Sequence, residues 1–447
     1  MSDDACAPAG VRPQALPPEE AVARLYSGAP YWLMRDGRGH MGSPLLGDYS
    51  CDVAIVGAGM TGAFIADTLS MAGLRVIVLE RDEPALGTTG CSTALLQYEL
   101  DVELAELMTR IGEADAVRAY HLCLESLAIL EHVALTLGGC GFRRKGSLYL
   151  ARRPAHTRRL AREAELRRTH GLPADFMDTE EVRRTFGLEC HGAIRCSVAA
   201  EVDPVRLTRR LLERACRHGA RLATRTAVLG SEPAGFGIVL HTARRTRVRC
   251  SWIVYASGAD AEVREFGQER HPLVNSFAIA TDRLTSMPAW LPHTILWESS
   301  RPYAYLRTTD DRRIILGGED APYRGAASRD RMLAVRVGRL EQRLRDILPA
   351  LRCRTAFAWA GTMTETPDGL PCIGSSAGAP GVIHAHACGA NGNSFGALAA
   401  RIVRDIVLER PNDYARLFSP DRDAPRRTAT AGGGHRSVDR PAATTRD

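Results

Sequence analysis

Residues 51–62 read Cys51-Asp52-Val53-Ala54-Ile55-Val56-Gly57-Ala58-Gly59-Met60-Thr61-Gly62, a short apolar run that enters a complete GxGxxG. Met60–Ala72 then has helical character, and Leu74–Glu80 is a continuous strand-like run ending in an acid. Strand, tight turn, helix and second strand make a βαβ unit, which implies a parallel sheet. The three glycines act differently. Gly57 permits the turn, Gly59 lets backbone approach a pyrophosphate, and Gly62 lets helix and strand pack closely. The N–H groups of Ala58, Met60 and Thr61 open the helix, where unpaired donors and a partial positive charge favour phosphate. Glu80 can accept from ribose hydroxyls, and its charge would repel a 2′-phosphate. Glycines alone would be weak evidence; both strands and the acid make this a dinucleotide site.

The remainder of the chain narrows the class. Its 447 residues are 45% hydrophobic and 25% charged, the composition of a globular protein with room for two or three domains. The net charge of +6 is carried by arginine, Lys145 being the sole lysine. These arginines are mixed with acids along helical stretches such as Arg158–Arg168 and Arg336–Arg345, which reads as solvated helix face and gives no strong nucleic-acid signal. The 12 cysteines are dispersed without a CxxC pair, so reduced, packed thiols are expected. No secretory signal opens the sequence and no apolar run reaches the roughly 20 residues of a membrane helix. The expectation is a soluble, cytoplasmic protein without a metal site. The two histidines His384 and His386 share a strand face but lack a third ligand, and Cys190, His191 and Cys196 fit no common zinc spacing.

Further along, Val102–Gly138 and Arg158–Thr169 read as helical and Ser147–Ala151 as a strand. Asp203-Pro204 opens a helix to about His218, with Asp as N-cap and Pro in the first turn. Strands follow near Ala227, at Gly237–Thr242, Trp252–Tyr255, Tyr303–Thr308 and Arg313–Gly317, then a helix from Arg331 to Leu348 and an amphipathic helix Asn393–Glu409. The expected fold is α/β: a discontinuous Rossmann-like nucleotide-binding domain plus an inserted α+β substrate domain with an antiparallel sheet. The expected division is an N-terminal extension 1–48, the nucleotide domain 49–100, 195–262 and 350–420, the substrate domain 101–194 and 263–349, and a disordered tail 421–447.

From about Tyr49 to Arg422 the chain resembles the D-amino-acid oxidase, glycine oxidase and sarcosine oxidase family of flavoproteins. The resemblance is carried by Asp52–Gly62, Gly90–Ala94, Glu201–Leu207, Trp252–Gly258, Trp359–Gly374 and the Gly-rich Gly389–Phe395. It implies FAD rather than NAD, held without a covalent bond. It also implies a cofactor set of Gly57, Ala58, Gly59, Met60, Thr61, Gly62, Glu80, Arg81, Ser92, Thr93, Val228, Ser257, Gly258, Gly361, Gly389, Asn391, Gly392, Asn393 and Ser394. The positive end of the Asn393–Glu409 helix would stabilise negative charge on the reduced ring. The reaction implied is hydride transfer to flavin N5 from a C–H next to an amine nitrogen, followed by hydrolysis of the imine. Such chemistry needs positioning and water exclusion, and no proton-abstracting side chain is obligatory.

Three departures bear on the substrate. Met363 stands where glycine oxidases place a carboxylate-clamping arginine, so a simple amino acid held by a bidentate Arg is doubtful. Arg307 could replace it: period-2 alternation puts Tyr303, Tyr305 and Arg307 on one strand face, an aromatic wall with an anionic contact. Gly361 stands where sarcosine oxidases attach the flavin to cysteine, and Cys372 lies beyond the matching block. The strand Arg313–Gly317 lacks the lysine that sarcosine oxidases place beside N5, so the electron acceptor, oxygen or a quinone-like molecule, stays open. A flavoprotein module in a larger pathway such as tRNA modification is a further alternative. Acid precipitation is expected to leave the yellow colour in the supernatant; colour held in the pellet would overturn non-covalent binding.

Overall fold

The computed structural model describes residues 25–37, 39–235, 237–259, 272–375, 378–386 and 391–422. The expected tail and the first 24 residues lie outside that set, apart from Asp421 and Arg422, where Arg422 pairs with Asp368 at 2.8 Å.

A six-stranded sheet runs in the order Cys372–Ser375, Val382–His386, Trp252–Tyr255, Val53–Val56, Val76–Leu79, Arg221–Ala223. Its pairings are parallel except for the edge strand Cys372–Ser375. The continuous apolar runs of the sequence follow from burial on both faces. Val53, Ile55, Val76, Val78 and Val254 face a core shared with helices Met60–Met71, Pro204–Arg217 and Gly392–Val407. Ala54, Ile77, Leu79 and Ile253 face Ile238, Leu240 and Val248 of a four-stranded sheet on the other side.

The larger sheet has ten strands, in the order 26–28, 355–364, 273–281, 314–322, 304–308, 294–298, 143–150, 193–201, 95–97, with 175–177 paired to 193–201. It is antiparallel except where Thr294–Glu298 runs beside Arg143–Leu150. One face, with Phe277, Ile279, Leu296, Leu306 and Leu316, packs on Leu340, Leu344 and Ile347 of helix Ala326–Ile347. The opposite face carries Tyr149, Trp297 and Tyr305, which pack with Leu160 and Ala164 of helix Pro154–Thr169. Trp297 and Tyr305 also line a cavity shared with Met60 and Thr61.

Several boundaries fall elsewhere than the division expected from sequence. Tyr26–Gly28 pairs with Trp359–Gly361, and helix Tyr31–Asp36 buries Tyr31 and Trp32, so part of 1–48 belongs to the packed body. The alanine- and proline-rich composition ahead of Tyr26 hides this from sequence reading. Leu95–Gln97, much of Ala193–Glu201 and Thr355–Thr364 sit in the large sheet rather than the nucleotide half, since strand pairing ignores chain order. The helical stretch 102–138 divides into Leu104–Ile111 and Glu113–Leu137 at Gly112, whose φ of +88° no helix can pass. Asp203 caps its helix, accepting from Val205 N and Arg206 N at 3.0 Å each.

Glu201 ties the large sheet together from inside. Fully buried, it meets Lys145 Nζ at 2.7 Å, Arg143 Nε at 2.7 Å and Arg307 Nε at 3.2 Å, three cations from two other strands of the sheet. Lys145 also donates to Thr308 Oγ1 at 2.9 Å. Burial, with Arg307 and Arg143 close by, pulls the lysine down to about 8 against the pull of Glu201. Removing the only anion from such a cluster leaves uncompensated charge. Glu201→Gln is therefore expected to lower unfolding stability by about 3–5 kcal/mol, measured by urea titration; a loss below 1 kcal/mol would show the cluster to be incidental.

Candidate active site

The turn between Val53–Val56 and Met60–Met71 is tight at both outer glycines. A Cβ on Gly62 would lie 2.1 Å from Gly57 O, and one on Gly57, at φ +109°, would lie 2.7 Å from Ala256 O. Gly59 differs. Its absent Cβ would meet only one atom, Thr89 Oγ1, at 3.2 Å, a close contact with a side chain rather than with backbone. That hydroxyl accepts from Met60 N at 3.1 Å, a contact that the sequence reading missed. Glu80 accepts from Ala58 N at 2.8 Å and Asp82 N at 2.9 Å, one bond per oxygen. It braces the turn while each oxygen keeps a further lone pair. Burial pushes its carboxyl up, and those two N–H groups oppose the rise.

From the helix N-terminus a cavity runs towards the large sheet. Met60, Thr61, Ser92, Thr93, Gly258 and Gly361 line it, as do Asn391, Gly392 and Asn393 at the start of the last helix, and Met363, Tyr303 and Tyr305 at the far wall. The Ser92 loop is held on three sides: Trp32 Nε1 donates to Ser92 O at 2.7 Å, Asn393 Nδ2 to Ser92 Oγ at 2.8 Å, and Trp359 Nε1 to Cys91 O at 2.7 Å. Gly361 passes close to this loop, since a Cβ there would stand 3.0 Å from Cys91 Cβ. At the far wall the Tyr303 and Tyr305 rings lie 5.8 Å apart, and Ser276 Oγ meets Tyr305 OH at 3.0 Å. Burial raises both phenols, so they remain protonated.

The family model described as FAD dependent oxidoreductase, DAO, matches residues 52–406. The chain belongs to that family. A probable oxidoreductase, OrdL, of Rhizobium meliloti is 26% identical over 77% of this chain and 82% of its own. Among solved structures, glycine oxidase from Geobacillus kaustophilus superposes with a TM-score of 0.72 at 22% identity, over 84% of this chain and 99% of that one. The L-proline dehydrogenase of P. horikoshii gives 0.66 at 19% identity, over 83% and 96%. At these identities the structural likeness is one of fold. FAD is the cofactor of the family, and the architecture fits it: a glycine turn at the N-terminus of helix Met60–Met71, and a cavity that continues from it. Ala58 N and Met60 N, which the sequence offered to phosphate, are taken by Glu80 and Thr89.

Among the residues singled out from sequence, two take other parts. Arg307 is not a cavity group. Its side chain is buried behind the loop, donating to Ala94 O at 2.6 Å, Val202 O at 2.9 Å and Thr308 O at 3.1 Å, while facing Glu201 and the Trp32 ring. Strand alternation assigned its face, but a long side chain follows the carbonyls and the anion that it can satisfy. It holds Ala94 at a φ of +54°, next to the cavity. Ser394 is turned inward: its hydroxyl donates to Gln97 O at 3.2 Å, and Ser126 Oγ donates to its carbonyl. Arg81 lies against Asp82, Val228 begins the four-stranded sheet, and Ser257 stands against Gly57, all outside the cavity lining; Gly389 lies outside the described residues. His384 and His386 are buried in Val382–His386, and no group of metal-ligating side chains occurs among the described residues. No helix among them is long and apolar enough to cross a membrane.

Because a side chain at Gly59 would press only on the Thr89 hydroxyl and not on backbone, Gly59→Leu is expected to fold and, by filling the turn, to lose FAD. Purification should give a colourless protein with native far-ultraviolet circular dichroism; retained flavin absorbance would remove the glycine loop from the cofactor site.

Proposed function

We propose that this enzyme oxidises a C–N bond of an amine or amino-acid-like substrate in the cavity between the Gly57–Gly62 turn and the Tyr303–Tyr305 wall, with FAD bound non-covalently. The observation that carries the reading is the continuity of that cavity from the helix N-terminus to an aromatic wall on the large sheet. Bound FAD supplies a two-electron acceptor for a hydride from the carbon next to the amine nitrogen.

The chain's own residues supply position and dryness. Gly361 and the Cys91–Thr93 loop leave space for a flat ring, and Asn391–Asn393 present the N-terminal end of Gly392–Val407 to it. Trp297, stacked on Tyr149 at 3.6 Å, closes the wall beside Tyr305. Protonated Tyr303 and Tyr305 can accept from an amine N–H without taking a proton. Met363, at a place where a carboxylate clamp would be a guanidinium, adds apolar surface instead. Lys145, bound to Glu201, stands outside the cavity lining, so acceptor chemistry does not depend on it there.

The test is anaerobic. Purified flavoprotein offered amino acids, N-methylated amino acids and aliphatic amines should lose its visible absorbance with at least one class. No bleaching by any of them would remove the amine-oxidising reading. With a bleaching substrate in hand, peroxide formation in air against reduction of a quinone-like dye then distinguishes oxidase from dehydrogenase.

A further inference from the structure

Spacing pairs none of the dispersed cysteines, yet the fold sets two of them opposite one another. Strand Arg247–Cys250 of the four-stranded sheet runs parallel to Tyr49–Ser50, with Val248 beside Tyr49 and Arg249 beside Ser50. Just beyond, in the six-stranded sheet, Trp252 stands beside Val53 in the same register. No residue is gained or lost between the two ladders, so Cys250 stands opposite Cys51. Backbone hydrogen bonds hold the crossing. Cys51 N donates to Arg249 O at 3.0 Å, and Asp52 O accepts from Ser251 N at 3.1 Å and Trp252 N at 3.0 Å. Strand neighbours lie about 4.8 Å apart, within the span of about 4.4–6.8 Å between α-carbons that a disulfide bridges. The bond can therefore close without parting the strands.

The two side chains also share a face. Along Arg247–Cys250, Val248 and Cys250 are buried while Arg247 and Arg249 are exposed. Cys51 and Cys250 lie in one apolar layer with Ala54, Ile238 and Leu240. Both are free thiols, and each is the other's side-chain hydrogen-bond partner. That bond, with burial adding, raises Cys51; it lowers Cys250 against the effect of burial, as expected when Cys51 donates and Cys250 accepts. Neither thiol is sealed off. Both line a hollow that Glu232, His241, Arg247 and Arg249 also line. A thiolate is the reacting form of cysteine, and neighbouring arginines favour it.

We propose that Cys51 and Cys250 form a site of reversible oxidation, closing to a disulfide that staples the four-stranded sheet to the strand leading into the glycine turn. The oxidant is hydrogen peroxide, small enough to enter the hollow. Cys250, as thiolate, attacks one peroxide oxygen: an S–O bond forms, the O–O bond breaks, and hydroxide leaves as water with the proton that Cys250 gave up. The Cys51 sulfur then attacks the Cys250 sulfur. The S–S bond forms, the S–O bond breaks, and a second water carries off the Cys51 proton. Two thiols lose two electrons and two protons, and one peroxide becomes two waters. The loop so closed holds about 200 residues, so the cross-link restricts the unfolded chain far more than the folded one. The proposal is independent of which substrate the flavin oxidises.

The test uses the purified holoenzyme, reduced with dithiothreitol, freed of it, and treated with a small excess of hydrogen peroxide. Remaining thiols are blocked with N-ethylmaleimide before digestion with trypsin. Cleavage after Arg38, Arg75, Arg249 and Arg264 releases residues 39–75 and 250–264, each holding one cysteine. The expected product is these two peptides joined, two hydrogens lighter than their sum and separated again by dithiothreitol. Oxidation should also raise the Tm by about 3 °C or more. Cys51→Ser should abolish both the cross-link and the rise, and leave Cys250 as a sulfenic acid that dimedone traps. Both peptides alkylated under conditions that oxidise the exposed Cys216 would overturn the proposal, as would a cross-link without a rise in Tm. The wild-type digest and melting curve decide the matter even where the serine variant fails to fold.

Discussion

The approach of helix Met60–Met71 to strand Val53–Val56 sets the position of everything at the site. Only hydrogens at Gly57 and Gly62 permit it, since a Cβ on Gly62 would stand 2.1 Å from Gly57 O. With the helix seated, Met60 N meets Thr89 and Ala58 N meets Glu80, so the turn acquires side-chain partners from the two segments that follow. The loop through Thr89 then carries Cys91, Ser92 and Thr93 to the cavity. A small steric fact in one turn thus propagates through hydrogen bonds to a wall about 30 residues further along the chain.

A second constraint works from the other side. Glu201 and Arg307 sit where the large sheet meets the Ser92 loop, and Arg307 uses its guanidinium to hold the carbonyls of Ala94 and Val202. Buried polar clusters of this kind are costly to form and more costly to break. Their effect here is to fix one backbone path between the two sheets. The N-terminal helix Tyr31–Asp36 completes the brace, because Trp32 packs under Arg307 and donates to Ser92 O. The loop is therefore gripped by a cation, an indole and an amide, none of which needs to touch the substrate.

Much of this was legible in the chain. The parallel strands announced themselves because both faces are buried, which leaves uninterrupted apolar runs at 53–56, 76–79 and 252–255. The caps at Asp203 and the turn at Gly57 are local, and local chemistry is readable. The strands of the large sheet were harder: Leu273–Thr281, Thr294–Glu298 and Thr355–Thr364 carry no distinctive turns, and their pairing partners are remote in sequence. Thr89 and Trp32 gave no signal because their roles are hydrogen bonds to backbone far along the chain. Tyr303 and Tyr305 were placed by alternation and do line the cavity, whereas Arg307, on the same face, has a side chain long enough to leave it.

Sequence by itself determined the nucleotide turn and the family of flavoproteins, since each depends on residue type at a fixed spacing. Tertiary structure alone decided which charges meet the cavity. Arg307 is withdrawn into an ion cluster with Glu201, and a one-residue bulge opposite Ser276 sends Glu319 to Arg336 of the covering helix. Neither is encoded by periodicity, because a side chain's final direction follows the partners that it can satisfy, and a single extra residue reverses every face that follows it.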